Sequence, residues 1–157
     1  RYSSSAASDV YKRQVIILAA LLLIGSISIA IPSRSSREIS KIRMEAKLFG
    51  CKITSNLYGE NQFKNYSKYS VSYRIKNKTN LKEGHFIRDK DKLILYSPVK
   101  LKYSDSFDYL NEELQNISNS LEEVIFTSVS ISFLWKELDG LDELKEIIKN
   151  FDKLKKF

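Results

Sequence analysis

The 157 residues contain one cysteine, one histidine, one tryptophan, two prolines and five glycines. Each scarcity closes off some chemistry. Cys51, being alone, can form no internal disulfide, and no zinc cluster or Cys-x-x-Cys redox motif can be built from it. His85, also alone, excludes multi-histidine metal sites and zinc chemistry of the His-Glu-x-x-His kind, and leaves no second base of its type. The few scattered glycines supply no phosphate-cradling loop, no EF-hand and no GxSxG nucleophile elbow. No cofactor or metal is therefore expected, and no catalytic residue is assigned. A small hydrolase or transferase working through His85 or Cys51 is kept as an alternative. Lys52 beside Cys51, with Lys47 four residues earlier, is a setting that could lower the thiol pKa. The adjacent carboxylates Glu112/Glu113 and Asp142/Glu143 fall in the first halves of expected helices, where solvation and the helix dipole account for them.

Long uncharged stretches are also rare, and the exception stands near the front. Residues 15–31 (VIILAALLLIGSISIAI) hold no charge, and as a helix they would reach about 26 Å, the short end of what spans a bilayer core. Two fates fit: a cleaved signal peptide, suggested by the small-x-small ending Ser28-Ile29-Ala30, or a retained transmembrane anchor. Residues 1–14 (RYSSSAASDVYKRQ) meet this run without transition. They resemble the translated read-through of a sequencing-library adapter, which implies that they are foreign and that the native residues before Val15 lie outside this sequence.

Beyond the apolar run, Arg34, Arg37, Lys41, Arg43 and Lys47 outnumber Glu38 and Glu45. That flank would hold the following domain in the cytoplasm if the opposite flank were neutral, whereas a lysine-bearing native start would reverse the orientation. Export is the expectation carried forward. Ile29-Ala30-Ile31-Pro32-Ser33 at the end of an apolar helix, followed by a charged amphipathic helix, resembles the N-terminal stalk of type IV pilin-like proteins. The resemblance covers residues 15–33 and implies a pilus-type subunit.

Residues 35–157 pattern as a single α+β domain: an antiparallel sheet of about four strands packed on one face by two to three amphipathic helices. Ser35-x-x-Glu38 reads as a capping box opening a helix with Ile39, Ile42, Ala46, Phe49 and Ile53 in one stripe, which Gly50 can end early. Tyr69, Val71, Tyr73 and Ile75 alternate with polar residues as a half-buried strand. A hairpin is expected from Phe86 to Tyr96 across Asp89-Lys90-Asp91, and after Pro98 a strand through Val99, Leu101 and Tyr103. Asp105 should open a helix burying Phe107, Leu110, Leu114, Ile117 and Leu121. Residues 124–135 read as one strand, and Asp139 as the cap of a last helix burying Leu141, Leu144, Ile148, Phe151 and Leu154, with Lys153, Lys155 and Lys156 at its end.

Charge is divided unevenly. Residues 34–103 carry 17 basic and 6 acidic side chains, residues 104–157 carry 6 and 12. Mutual neutralisation within the fold is one explanation. The other is a cationic face made by Arg74, Lys76, Lys100 and Lys102, with Tyr66, Tyr69 and Tyr73 nearby, suited to anionic lipid headgroups, wall polymers or a protein partner. Nucleic acid is not expected, since no recognition-helix, RNP-type or zinc-finger signature accompanies the basic residues. The expectation is a bacterial-type envelope protein, membrane-anchored or secreted, that reaches the membrane through residues 15–31 and acts by binding.

Overall fold

Hydrophobic alternation along the chain produces a six-stranded sheet in the computed structural model, which describes residues 3–30, 33–55, 63–104 and 106–154. The chain divides into two units, Arg1–Arg37 and Glu38–Phe157. The first holds α1 (Ser3–Ala30), an unbroken helix that takes in most of the uncharged run and continues through residues 3–14. Within it Val10–Ile27 is long and apolar enough to cross a membrane, and none of that stretch is buried.

Helix α2 (Arg34–Leu48) begins one residue before Ser35. Its cap is Ser33, whose hydroxyl accepts the Ser36 amide at 3.2 Å, because Ser35 is already inside the helix. The expected stop at Gly50 is present: Gly50 has φ of +81°. The amides of Gly50 and Cys51 reach back to Lys47 and Ala46, each at 3.0 Å, forming a Schellman ending.

The strands are β1 (Lys52–Ser55), β2 (Val71–Lys76), β3 (Glu83–Asp89), β4 (Lys92–Ser97), β5 (Leu121–Thr127) and β6 (Ser130–Trp135), all antiparallel, in the order β1-β2-β6-β5-β3-β4. The expected count of about four is thus corrected to six. β1 is only four residues long, too short to display a period. Residues 124–135 are two strands because the chain reverses at Ser128-Val129, where no Gly, Asn or Pro marks a turn. Thr127 does the work of a turn residue: its hydroxyl donates to the Ser130 carbonyl (2.9 Å) and accepts the Ser130 amide (3.0 Å).

The strand expected after Pro98 is a 3-10 helix instead, Val99–Tyr103. Proline offers no amide to a ladder, and its carbonyl accepts the Leu101 amide at 3.1 Å, turning Leu101 toward the core. Helix α3 (Phe107–Gln115) stops before Ile117 and Leu121, which are buried outside it, Leu121 as the first residue of β5. Asp105, Lys155 and Lys156 lie outside the described residues. Helix α4 (Leu141–Lys153) is preceded by Gly140 at φ +97°, so Asp139 is not its cap. The Asp139 carboxylate instead accepts the Ser120 hydroxyl at 2.6 Å.

Ile42 and Ala46 of α2, Leu110 and Leu114 of α3, and Leu144, Ile147 and Phe151 of α4 share one core with Tyr73, Phe86, Val124, Phe126, Ile131, Phe133 and Trp135 of the sheet. Strand side chains alternate between faces, so this single cluster places the three helices on one face. Phe151 sits against Phe133 and Phe126 with centroids 5.4 and 6.1 Å away, and Trp135 is a core residue edge-on to Tyr73 at 5.7 Å. Among the described residues no α-helix of this unit packs on the other face of the sheet; the segment from Phe63 to Tyr69, with a 3-10 turn at Tyr66–Lys68, lies there instead.

Candidate functional site on the open face of the sheet

Two groups of residues lie on that open face. The first is a buried acid. Glu123 follows a bulge in β5 and His85 sits two register positions away on β3, on the same face, since the register matches Ile87 to Glu123 and His85 to Ile125. The Glu123 side chain is 0% exposed, and its Oε1 lies 2.6 Å from His85 Nε2. The amides of Lys64 and Asn65 donate to the same carboxylate at 2.7 and 2.9 Å. Burial alone pushes this carboxyl up. The hydrogen bond from His85 and those from the two amides outweigh it, so Glu123 is held below the usual carboxylate range.

The acid therefore works as an anchor. It fastens the segment entering at Phe63, which is itself buried with Ile125 and Leu134 under Tyr69. The imidazole is stacked edge-on to Tyr96 at 5.0 Å, and Lys64 Nζ lies 5.0 Å from the centre of the same ring. Beside His85 an open cleft of about 370 Å³ runs past Gly84, Ser97, Thr127 and Ser128. With Nε2 committed to Glu123, the ring is oriented and only its other edge can face that cleft.

The second group is cationic. Arg74 and Lys76 project from β2 on the open face, and the register sets Lys52 of β1 directly opposite Arg74. Arg74 Nε donates to the Ser132 hydroxyl at 3.1 Å. Like charges directly across a strand pair repel. Among the described residues no carboxylate pairs with any of the three, although Arg43, Lys78, Lys100, Lys136 and Lys145 all have acidic partners.

The four cations singled out from the sequence are not brought together. Lys100 and Lys102 lie on the 3-10 helix that follows β4 at one edge, whereas β2 is next to the other edge. Lys100 pairs with Glu83. Nor do the tyrosines interleave with them. Tyr73 points into the core and donates to Glu137 at 2.6 Å, where Arg43 also binds in two-pronged fashion at 2.7 Å from each oxygen. Tyr69 covers the small cluster on the open face, and only Tyr66 is freely exposed.

Cys51 belongs to the main core, on the opposite side of the sheet from His85, so the two do not meet. Its thiol is not lowered by its lysine neighbours, since burial pushes it up to about 11. Among the described residues no cluster of His, Cys, Asp and Glu could hold a metal ion. The sequence marks Lys52 only as a neighbour of Cys51, because a strand as short as β1 gives no register, and it does not single out Glu123. The informative signal was its position in a run of buried apolar residues, where an acid must have partners.

No protein-family model, curated protein or solved structure matches this chain.

Proposed function

We propose that the chain is a bacterial-type envelope protein that acts by binding, its folded domain carried on a single hydrophobic helix. One observation carries this reading. From Val15 to Ile27 the helix is almost wholly apolar, and none of the stretch Val10–Ile27 is buried, while Glu38–Phe157 encloses its own core. An apolar helix left without protein partners needs another apolar phase, and a bilayer supplies it. As a cleaved signal the segment would give a secreted domain, and as an uncut span an anchored one. Fractionation of cells expressing the gene with its native start tests this. Recovery in the membrane or exported fraction is expected, and recovery wholly in the soluble cytoplasmic fraction would refute it.

A type IV pilin-like subunit is the second reading. It is favoured by the succession of an apolar helix, then α2 laying Ile42 and Ala46 onto an antiparallel sheet. The native residues ahead of Val15 decide it. A prepilin-peptidase site with a glutamate shortly after the cleaved bond supports the idea, and a lysine-rich start running straight into Val15 removes it.

A further inference from the structure

We infer that Lys52, Arg74 and Lys76 form a docking patch for the phosphate headgroups of anionic phospholipids, a step that rests on the membrane reading above. The three side chains are exposed, share the open face of the sheet and occupy adjoining positions on β1 and β2. They have no carboxylate partner among the described residues. Placing Lys52 opposite Arg74 raises the energy of the folded chain, and an anion bridging the pair would remove that repulsion.

The local chemistry suits an oxyanion. The bond from Arg74 Nε to Ser132 fixes the guanidinium plane and leaves its terminal nitrogens free for the forked contact that phosphate favours. Thr54, Ser72 and Ser130 give the same face a short hydroxyl surface that does not block approach. Lipid is favoured over soluble phosphate by connectivity. Lys52 follows the last residue of α1 by twenty-two positions, so once α1 is in a bilayer the patch meets its headgroups at a high effective concentration. Each cation near an anionic surface contributes about a fivefold preference, and three together about a hundredfold.

The test uses the full chain bearing Thr54→Cys, labelled with a fluorophore; Cys51 is buried and does not compete for the label. The protein is reconstituted into vesicles of phosphatidylcholine with or without phosphatidylglycerol, with a quencher on the lipid headgroups, and insertion is scored separately by resistance to carbonate extraction. Quenching should require phosphatidylglycerol and fade at high salt. The docked-to-free ratio should fall about fivefold for each of Lys52→Gln, Arg74→Gln and Lys76→Gln, while Lys100→Gln with Lys102→Gln leaves it unchanged.

Equal quenching with and without phosphatidylglycerol in carbonate-resistant protein overturns the patch but spares the anchor. So does an equal loss in the Lys100/Lys102 control, or protection of the label by soluble polyphosphate where vesicles give none. Complete extraction by carbonate overturns the anchored reading and this inference with it.

Discussion

Glu123 shows how much a single buried residue can hold in place. Three donors converge on its carboxylate: the His85 ring and the amides of Lys64 and Asn65. Glu123→Gln keeps the shape but replaces one acceptor oxygen with an NH₂ that faces donors. Leaving buried donors unsatisfied costs about 1–3 kcal/mol, more when the lost partner was charged. A loss near 3 kcal/mol is expected in urea titration, with faster amide exchange at Lys64 and Asn65; unchanged exchange at those amides would show that the acid does not hold the segment. Cys51 gives a prediction of the opposite kind. At 3% exposure, with its thiol at about 11, it is protonated and shielded at neutral pH. Modification by a thiol-specific disulfide reagent should proceed no faster than global unfolding. Rapid labelling of protein that remains folded would contradict the burial.

At the scale of elements, the turns carry the stability that the sequence conceals. Asn77, just past β2, donates through Nδ2 to the Leu81 carbonyl at 2.8 Å and to the Thr127 carbonyl at 2.6 Å. Its Oδ1 accepts the Thr79 amide and hydroxyl, each at 2.8 Å. One side chain thereby ties the connection between β2 and β3 to the end of β5. Asn77→Ala removes all four bonds and should cost about 2–4 kcal/mol, several times a surface substitution. A change below about 0.5 kcal/mol in the denaturation midpoint would mean that water replaces them.

The same device explains what could be read from the chain and what could not. The hairpin from β3 to β4 was legible because Asp89-Lys90-Asp91 is polar and separates two apolar runs, and Gly50 announced the end of α2. The reversal between β5 and β6 was not, since Thr127, Ser128, Val129 and Ser130 lack turn signals and the holding bonds come from Thr127 itself and from Asn77, fifty residues away. Strand order and register follow from contacts distant in sequence. Without them Lys52 could not be placed beside Arg74, nor Lys100 and Lys102 separated from it.

Taken as a whole, the molecule partly neutralises its own charge imbalance across the two halves of the chain. Arg43 binds Glu137 and Lys78 approaches Asp152 at 3.7 Å. The first ties α2 to the segment before α4, and the Glu123 carboxylate adds a side-chain bond to His85 between two strands already paired, β3 and β5; the burial of Glu123 makes stability depend on pH. On the acid side, Glu123 is held below its ordinary value of 4.5. A depressed carboxylate contributes stability that is present above the unfolded value and lost as pH falls through the folded one.

On the alkaline side, burial raises Cys51 from 9.0 to about 11 and Tyr69 from 10.0 to about 12, and it raises Tyr73 further still, helped by its bond to Glu137. A raised group stabilises fully below its unfolded value. That contribution is lost as pH climbs toward the folded one, because the unfolded chain ionises first. Stability should therefore begin to decline above about pH 8.5. It should then fall by about 1.4 kcal/mol per unit for each group passed, with Cys51 first and the tyrosines next. Urea midpoints followed from neutrality to about pH 11 will trace this descent. Cys51→Ala supplies the decisive comparison: whatever its cost at neutral pH, its alkaline decline should begin near 10, where the tyrosines start to ionise, about one unit later than in the parent chain. If both proteins decline from the same pH, the buried thiol plays no part in the loss.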